Sequence, residues 1–127
     1  MTTVRQACWY WLPVGAYATL IFYFSSLSYP EVYLPSVLMD LGDKALHAIE
    51  YAVLGILCYR AFRRAAGRWA ASHAVLLAIV ASTGYGLTDE IHQAAVPLRQ
   101  ADVWDFATDA IGATLGCSVW HWLADPQ

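Results

Sequence analysis

Three stretches of the chain carry ionisable or amide side chains at helical spacing. Asp43, His47, Glu50 and Leu54 follow one another at steps of four, three and four. Ser82, Gly86, Asp89 and Gln93 keep the same steps, with Tyr85 and His92 beside them, and so do Asp105, Asp109, Gly112 and Gly116. Residues three and four apart share one face of a helix, so each stretch presents a single polar stripe. Carboxylates and imidazoles converging from three helices suit three tasks: gripping a cationic group, passing protons, or holding a divalent metal. For the last, His47, Glu50, Asp89, His92, Asp105 and Asp109 are the suitable ligand types. Arg99, two residues beyond Pro97, is the side chain suited to a phosphate. No HExxH or CxxC spacing occurs, and Cys8, Cys58 and Cys117 lie isolated in apolar stretches. Neither a tight zinc motif nor a disulfide framework is expected.

Charge sharpens the point. Asp43, Glu50, Asp89, Glu90, Asp102, Asp105 and Asp109 are opposed by Lys44 and Arg99 alone, apart from His47 and His92, which titrate near neutral pH. Several carboxylates close together in a poor dielectric cannot all be ionised without a cation. Some must hold protons, or a metal or a cationic ligand group must compensate them.

The elements that position these residues follow from composition. Of 127 residues, 13% are charged and 59% hydrophobic, against about 25% and 45–50% in soluble domains. Six Trp, eight Tyr and four Phe exclude disorder, and a net charge of −3 offers no basic footprint for nucleic acid. No Asp, Glu, Lys or Arg occurs from 6 to 30 or from 69 to 88. A helix needs roughly 20 predominantly apolar residues to cross a bilayer, so spans are expected at 7–27 and 69–88. Two further spans, 45–62 and 103–123, carry ionisable residues, which inside a membrane face the bundle interior or a wet cavity. The expected fold is an all-α polytopic membrane protein, one domain over 1–127 with four transmembrane helices. The first is read as a span and not a signal peptide, because its apolar stretch exceeds the usual ~7–15 residues of a signal core. Arg5, Arg60, Arg63, Arg64 and Arg68 place both termini and the second connection in the cytoplasm. These arginines are assigned to topology and lipid contact, and His73 and His121 to the inner interface.

The acids then fall at matching depth. Glu50 lies about 10 Å along the helix from Asp43, at 1.5 Å per residue, and Asp109 the same distance from Asp102. Asp102 has the character of an N-cap, with Asp105 in the first turn behind it. Gly112 and Gly116 form a GxxxG pair that admits a close neighbour. Lys44 either snorkels to the interface or joins the site. Tyr51 adds a hydroxyl to the same network. Asp89 is preferred to Glu90 because it shares the stripe with Ser82 and Gln93. His92 is a proton carrier and Gln93 an orienting amide. Arg99 folds back over the acids, as an ion pair or as an anion binder.

Asp43-Lys44-x-x-His47-x-x-x-Tyr51, Asp89-Glu90-x-His92-Gln93, Pro97-x-Arg99, and Asp105 with Gly112 and Gly116 together resemble the VanZ-like family. The resemblance runs from Asp43 onward, about two thirds of the chain, and several blocks in order make it specific. It implies a small multi-pass protein of the bacterial cytoplasmic (inner) membrane with a role in the cell envelope, linked to glycopeptide and teicoplanin tolerance. Many members of that family carry Asn where this chain has Asp109, an extra acid that favours cation binding or proton uptake. The implied partners are the lipid bilayer, a cell-wall lipid intermediate or a glycopeptide, and a second copy of the chain; a divalent metal is the one cofactor to consider. Three functions stay open: a component binding an envelope lipid head group or cationic compound, a metal-dependent hydrolase or transferase acting on a lipid-linked phosphate, and a purely structural helix bundle.

Overall fold

A computed structural model describes residues 3–125. Among these residues the secondary structure is helical throughout, without strands. Helix α1 (Val4–Ser25) starts where the Thr3 hydroxyl accepts a hydrogen bond from the Gln6 amide at 3.2 Å, and it carries Pro13 in its interior. A 3₁₀ turn (Pro30–Tyr33) and the short α2 (Ser36–Met39) lead to α3 (Asp43–Ala65). Gly42 precedes α3 at φ +81°, a conformation that a side chain disfavours. Asp43 in the first turn of α3 and Arg63 and Arg64 in the last complement the helix dipole. Helix α4 (Gly67–Ser72), α5 (Ala74–Gln93) and α6 (Val103–Ala124) complete the chain. The N-cap expected at Asp102 is present: its Oδ1 accepts from the Trp104 amide at 2.8 Å.

Helix α3 is the hub, packed against α1, α5 and α6. Its approach to α6 is closest because glycines remove the intervening carbons. A Cβ added to Gly112 would stand 2.1 Å from the Ala48 carbonyl oxygen, on Gly116 2.4 Å from that of Ala52, and on Gly55 2.6 Å from that of Ala113. The GxxxG pair therefore does admit a close neighbour, and that neighbour is α3. Around this contact the apolar core comprises Ile21, Tyr51, Leu54, Cys58, Tyr59, Ala74, Ala78, Ala113 and Cys117.

The polarity of interior and exterior is unusual for a water-facing protein. Trp9, Leu12, Leu76, Val80, Ile91, Ile111, Leu115 and Trp122 are exposed, while His47, Asp89, Glu90, Gln93, Asp105 and Asp109 are buried. Charged residues are almost never fully buried unless paired, and apolar exposure on this scale marks a surface meant for another apolar phase. By length and composition, α3 and α5 are suited to cross a membrane.

Three of the expected segments sit where expected: α1 covers most of 7–27, α3 contains 45–62, and α6 contains 103–123. The segment 69–88 does not form one helix. The chain breaks at His73, so Trp69 belongs to α4 and α5 runs on to Gln93. The physical reason is local: Ser72 Oγ donates to the Trp69 carbonyl at 2.7 Å and His73 Nδ1 lies 2.9 Å from the same oxygen. Side chains that bond a carbonyl one turn back compete with helix continuation. As a consequence Asp89, Glu90 and Gln93 stand on a helix, and the connection to α6 narrows to residues 94–102.

Candidate functional site

The first turns of α3, the last turns of α5 and the first turns of α6 meet at one end of the bundle, and the polar stripes meet with them. His47 is the centre. Its Nδ1 lies 2.8 Å from Asp109 Oδ1. Its Nε2 points between Asp105 Oδ2, at 3.7 Å, and Asp43 Oδ1, at 4.0 Å. Above it, Lys44 Nζ bridges Asp102 Oδ2, at 2.7 Å, and Asp105 Oδ1. This bridge ties the start of α3 to the start of α6, and the Lys44 ammonium holds the Asp102 carboxyl below its ordinary range.

A second layer comes from α5. Tyr51 donates its hydroxyl to Asp89 Oδ2 at 3.2 Å, and the Gln93 amide donates to the same oxygen at 3.3 Å. The Asp102 backbone amide donates to Glu90 Oε2 at 3.1 Å, so Glu90 and not Asp105 bonds the cap residue's N–H. Gly86 allows α5 to come this close: a Cβ there would lie 3.1 Å from the Tyr51 ring and 3.2 Å from Asp109 Oδ2. Three carboxylate oxygens, Asp89 Oδ1, Glu90 Oε1 and Asp109 Oδ2, are buried with no hydrogen-bond partner. An unpaired buried polar group is costly, so a further hydrogen bond or a cation at any of these oxygens would stabilise the fold.

Beside the cluster opens a cavity of about 350 Å³. One wall is polar, with Asp43, His47, Glu50, Asp89, Gln93 and Arg99; the other is apolar, with Leu20, Ile21, Phe24, Leu34, Leu38 and Ile49. The apolar wall comes from α1 and from the connection between α1 and α3, including α2, with Ile49 from α3 itself. Glu50 is half-buried along this cavity, and Tyr17 donates to its backbone carbonyl at 3.1 Å. Arg99 lines the cavity with Glu50 and forms no ion pair within 4.0 Å among the described residues.

Of the residues singled out from the sequence, Asp43, Lys44, His47, Asp105 and Asp109 form the ionic cluster, Tyr51, Asp89, Glu90 and Gln93 the layer behind it, and Glu50 and Arg99 the cavity wall. His92 joins none of these. Its Nε2 lies 2.9 Å from Ser26 Oγ and its ring stacks on Phe22 at 4.5 Å, facing α1. The groups whose ligand atoms lie within 4.8 Å of one another are His47, Glu90 and Asp109, and Asp43, His47 and Asp105. Glu50, Asp89 and His92 stand outside both. Glu90 is as buried as Asp89, at 5% exposure, and its spacing from Gly86 and Gln93 was a signal as good as that of Asp89.

At the opposite end a second polar network went unrecognised in the sequence. The Tyr59 hydroxyl meets His121 Nδ1 at 2.7 Å and also Asp125, which accepts from Arg63 Nε at 3.2 Å and faces Arg64 at 3.5 Å. The hydrogen bond from Tyr59, with the adjacent arginines, holds the Asp125 carboxyl below its ordinary range. Arg63 and His121 therefore have a structural role, tying the end of α3 to the end of α6. The pairs Tyr59/Arg63 and His121/Asp125, each four apart, were the available hint.

A family model described as VanZ/LLP1 matches residues 7–124. No curated protein and no solved structure matches the chain. With nearly its whole length matched, the chain belongs to the VanZ/LLP1 family.

Proposed function

We propose that this VanZ/LLP1 chain is a multi-pass component of the bacterial cytoplasmic membrane whose cavity binds the head group of an envelope lipid, or a cationic compound with an apolar tail. Four helices, α1, α3, α5 and α6, cross the bilayer with both termini in the cytoplasm, so that the cavity opens near the outer surface. Binding there contributes to glycopeptide tolerance by occupying or sequestering an envelope component.

The observation that carries this reading is the two-sided cavity. Glu50, Asp89 and Asp43 offer carboxylates to a cationic group, and Arg99 offers a planar guanidinium to a phosphate. Opposite them Leu20, Phe24, Leu34 and Leu38 offer an apolar wall. A small polar ligand has no use for that wall, and a plain hydrocarbon has none for the acids. An amphiphile uses both, and ligand sites of this mixed kind are apolar pockets with few, well-placed polar groups.

Native mass spectrometry of the detergent-purified protein against a cell-wall lipid intermediate, a zwitterionic phospholipid and a glycopeptide tests the reading. One or more should bind, and Glu50→Gln together with Arg99→Ala should weaken that binding. Folded protein that retains none of the three would refute it.

A further inference from the structure

The charges at the outer end of the bundle do not balance from within. Lys44 is committed to Asp102 and Asp105. Arg99 lines the cavity with Asp43, Glu50 and Asp89 and forms no ion pair within 4.0 Å among the described residues. Asp43 is exposed, and water solvates it. Asp89, Glu90 and Asp109 remain, exposed by 5%, 5% and 0%, and among the described residues His47 is the one basic side chain in ion-pair contact with any of them. A protonated His47 compensates one carboxylate of the three. Asp89 is served by two donors, Tyr51 and Gln93. Glu90 Oε1 and Asp109 Oδ2 are served by none.

We infer that His47, Glu90 and Asp109 hold a divalent transition-metal cation, Zn²⁺ in the first instance, and that Asp105 orients the His47 ring from its other nitrogen. One ligand atom from each of the three lies within 4.8 Å of the others. Ligands about 2.1 Å from a tetrahedral ion stand about 3.4 Å apart, so small side-chain rotations close the site. The His47 Nδ1–Asp109 Oδ1 hydrogen bond, at 2.8 Å, gives up its proton and opens by about 0.6 Å when the ion enters. An imidazole with two carboxylates suits zinc or manganese better than calcium, which takes oxygen ligands alone. Behind the ring Asp105 Oδ2 stands 3.7 Å from Nε2, outside hydrogen-bond reach, and the rotation that turns Nδ1 to the ion would have to close this gap to give the carboxylate–histidine pairing that metal-binding histidines use. Glu90 Oε1 and Asp109 Oδ2, buried without a hydrogen-bond partner, are a second observation beside the gathering of acids. The inference goes beyond the head-group reading and stands without it: His47 lines the cavity, but Glu90 and Asp109 do not.

The test is titration calorimetry of chelator-stripped protein in detergent with Zn²⁺ and with Mn²⁺, no lipid present. The wild type should bind one equivalent of at least one ion. Asp109→Asn and Glu90→Gln should weaken binding by more than tenfold, Asp105→Asn by about 10–100-fold as an orienting residue, and His92→Gln should bind as the wild type does. A folded wild type that takes up neither ion overturns the inference, as does unchanged binding in Asp109→Asn and Glu90→Gln. Should those variants not fold, electron paramagnetic resonance of Cu²⁺ bound to the wild type decides: coupling to one imidazole nitrogen supports the site, and its absence refutes it. Lipid binding measured separately, in excess chelator, keeps the two readings distinguishable.

Discussion

Replacing Gly112 by alanine places a methyl carbon 2.1 Å from the Ala48 carbonyl oxygen, with the Ala48 Cα and carbonyl carbon each at 2.8 Å. The obstacle is helix backbone on both sides, so no side chain can swing away. Ordinary contact begins near 3.4 Å, so α6 must retreat from α3 by about 1.3 Å at this level. Asp109 lies one turn before Gly112 on α6, and His47 lies beside Ala48 on α3. The same retreat stretches the His47–Asp109 contact from 2.8 Å to about 4 Å, beyond hydrogen-bond reach. Overpacking of a close contact costs about 1–3 kcal/mol, and an unpaired buried carboxylate adds to it. Gly112→Ala should therefore lose stability in a denaturant titration in detergent, and at the same time lose affinity at the site proposed around His47. Gly84→Ala is the matched control, because a Cβ at Gly84 meets nothing within 4 Å; it should be neutral or slightly stabilising by helix propensity. A Gly112→Ala protein with wild-type stability would refute the close α3–α6 contact. Lost stability with unchanged affinity at that site would refute the coupling between packing and chemistry.

Tyr51→Phe removes one of the two donors to the buried Asp89; a loss of about 1–3 kcal/mol in the same titration is expected, and equal or greater stability would remove Tyr51 from the network. The Asp102 carboxyl is depressed below its ordinary value of 3.8 by Lys44, so its stabilisation is present above that value and is lost as pH falls through the depressed one. Thermal melts of the wild type should show this acid step, and Lys44→Met should lower stability at neutral pH and flatten the step. Asp125→Asn breaks the contacts with Tyr59, Arg63 and Arg64 and should lower the melting temperature while leaving ligand binding at the far end unchanged. Loss of binding in that variant would mean that the two ends are coupled.

Much was decided by local rules. Helical periodicity alone placed Asp43, His47 and Glu50 on α3, Asp89 and Gln93 on α5, and Asp105 and Asp109 on α6, because side chains recur every 3.6 residues whatever the helix packs against. The Asp102 cap and the small-residue seam of Gly112 and Gly116 were legible for the same reason. What periodicity leaves free is each helix's rotation and its axial offset from its neighbours. Those were decided where Gly112, Gly116 and Gly55 let α6 lie against α3 and Gly86 let α5 come close to Tyr51 and Asp109. The resulting register carries Glu90 to the Asp102 amide, turns Glu50 to the cavity wall and leaves His92 against Ser26 and Phe22 on α1. The break at His73 and the meeting of Tyr59 with Asp125 belong to the same class. Each depends on groups distant in the chain or on side-chain bonds that compete with the helix, and neither spacing nor composition encodes which of those contacts forms.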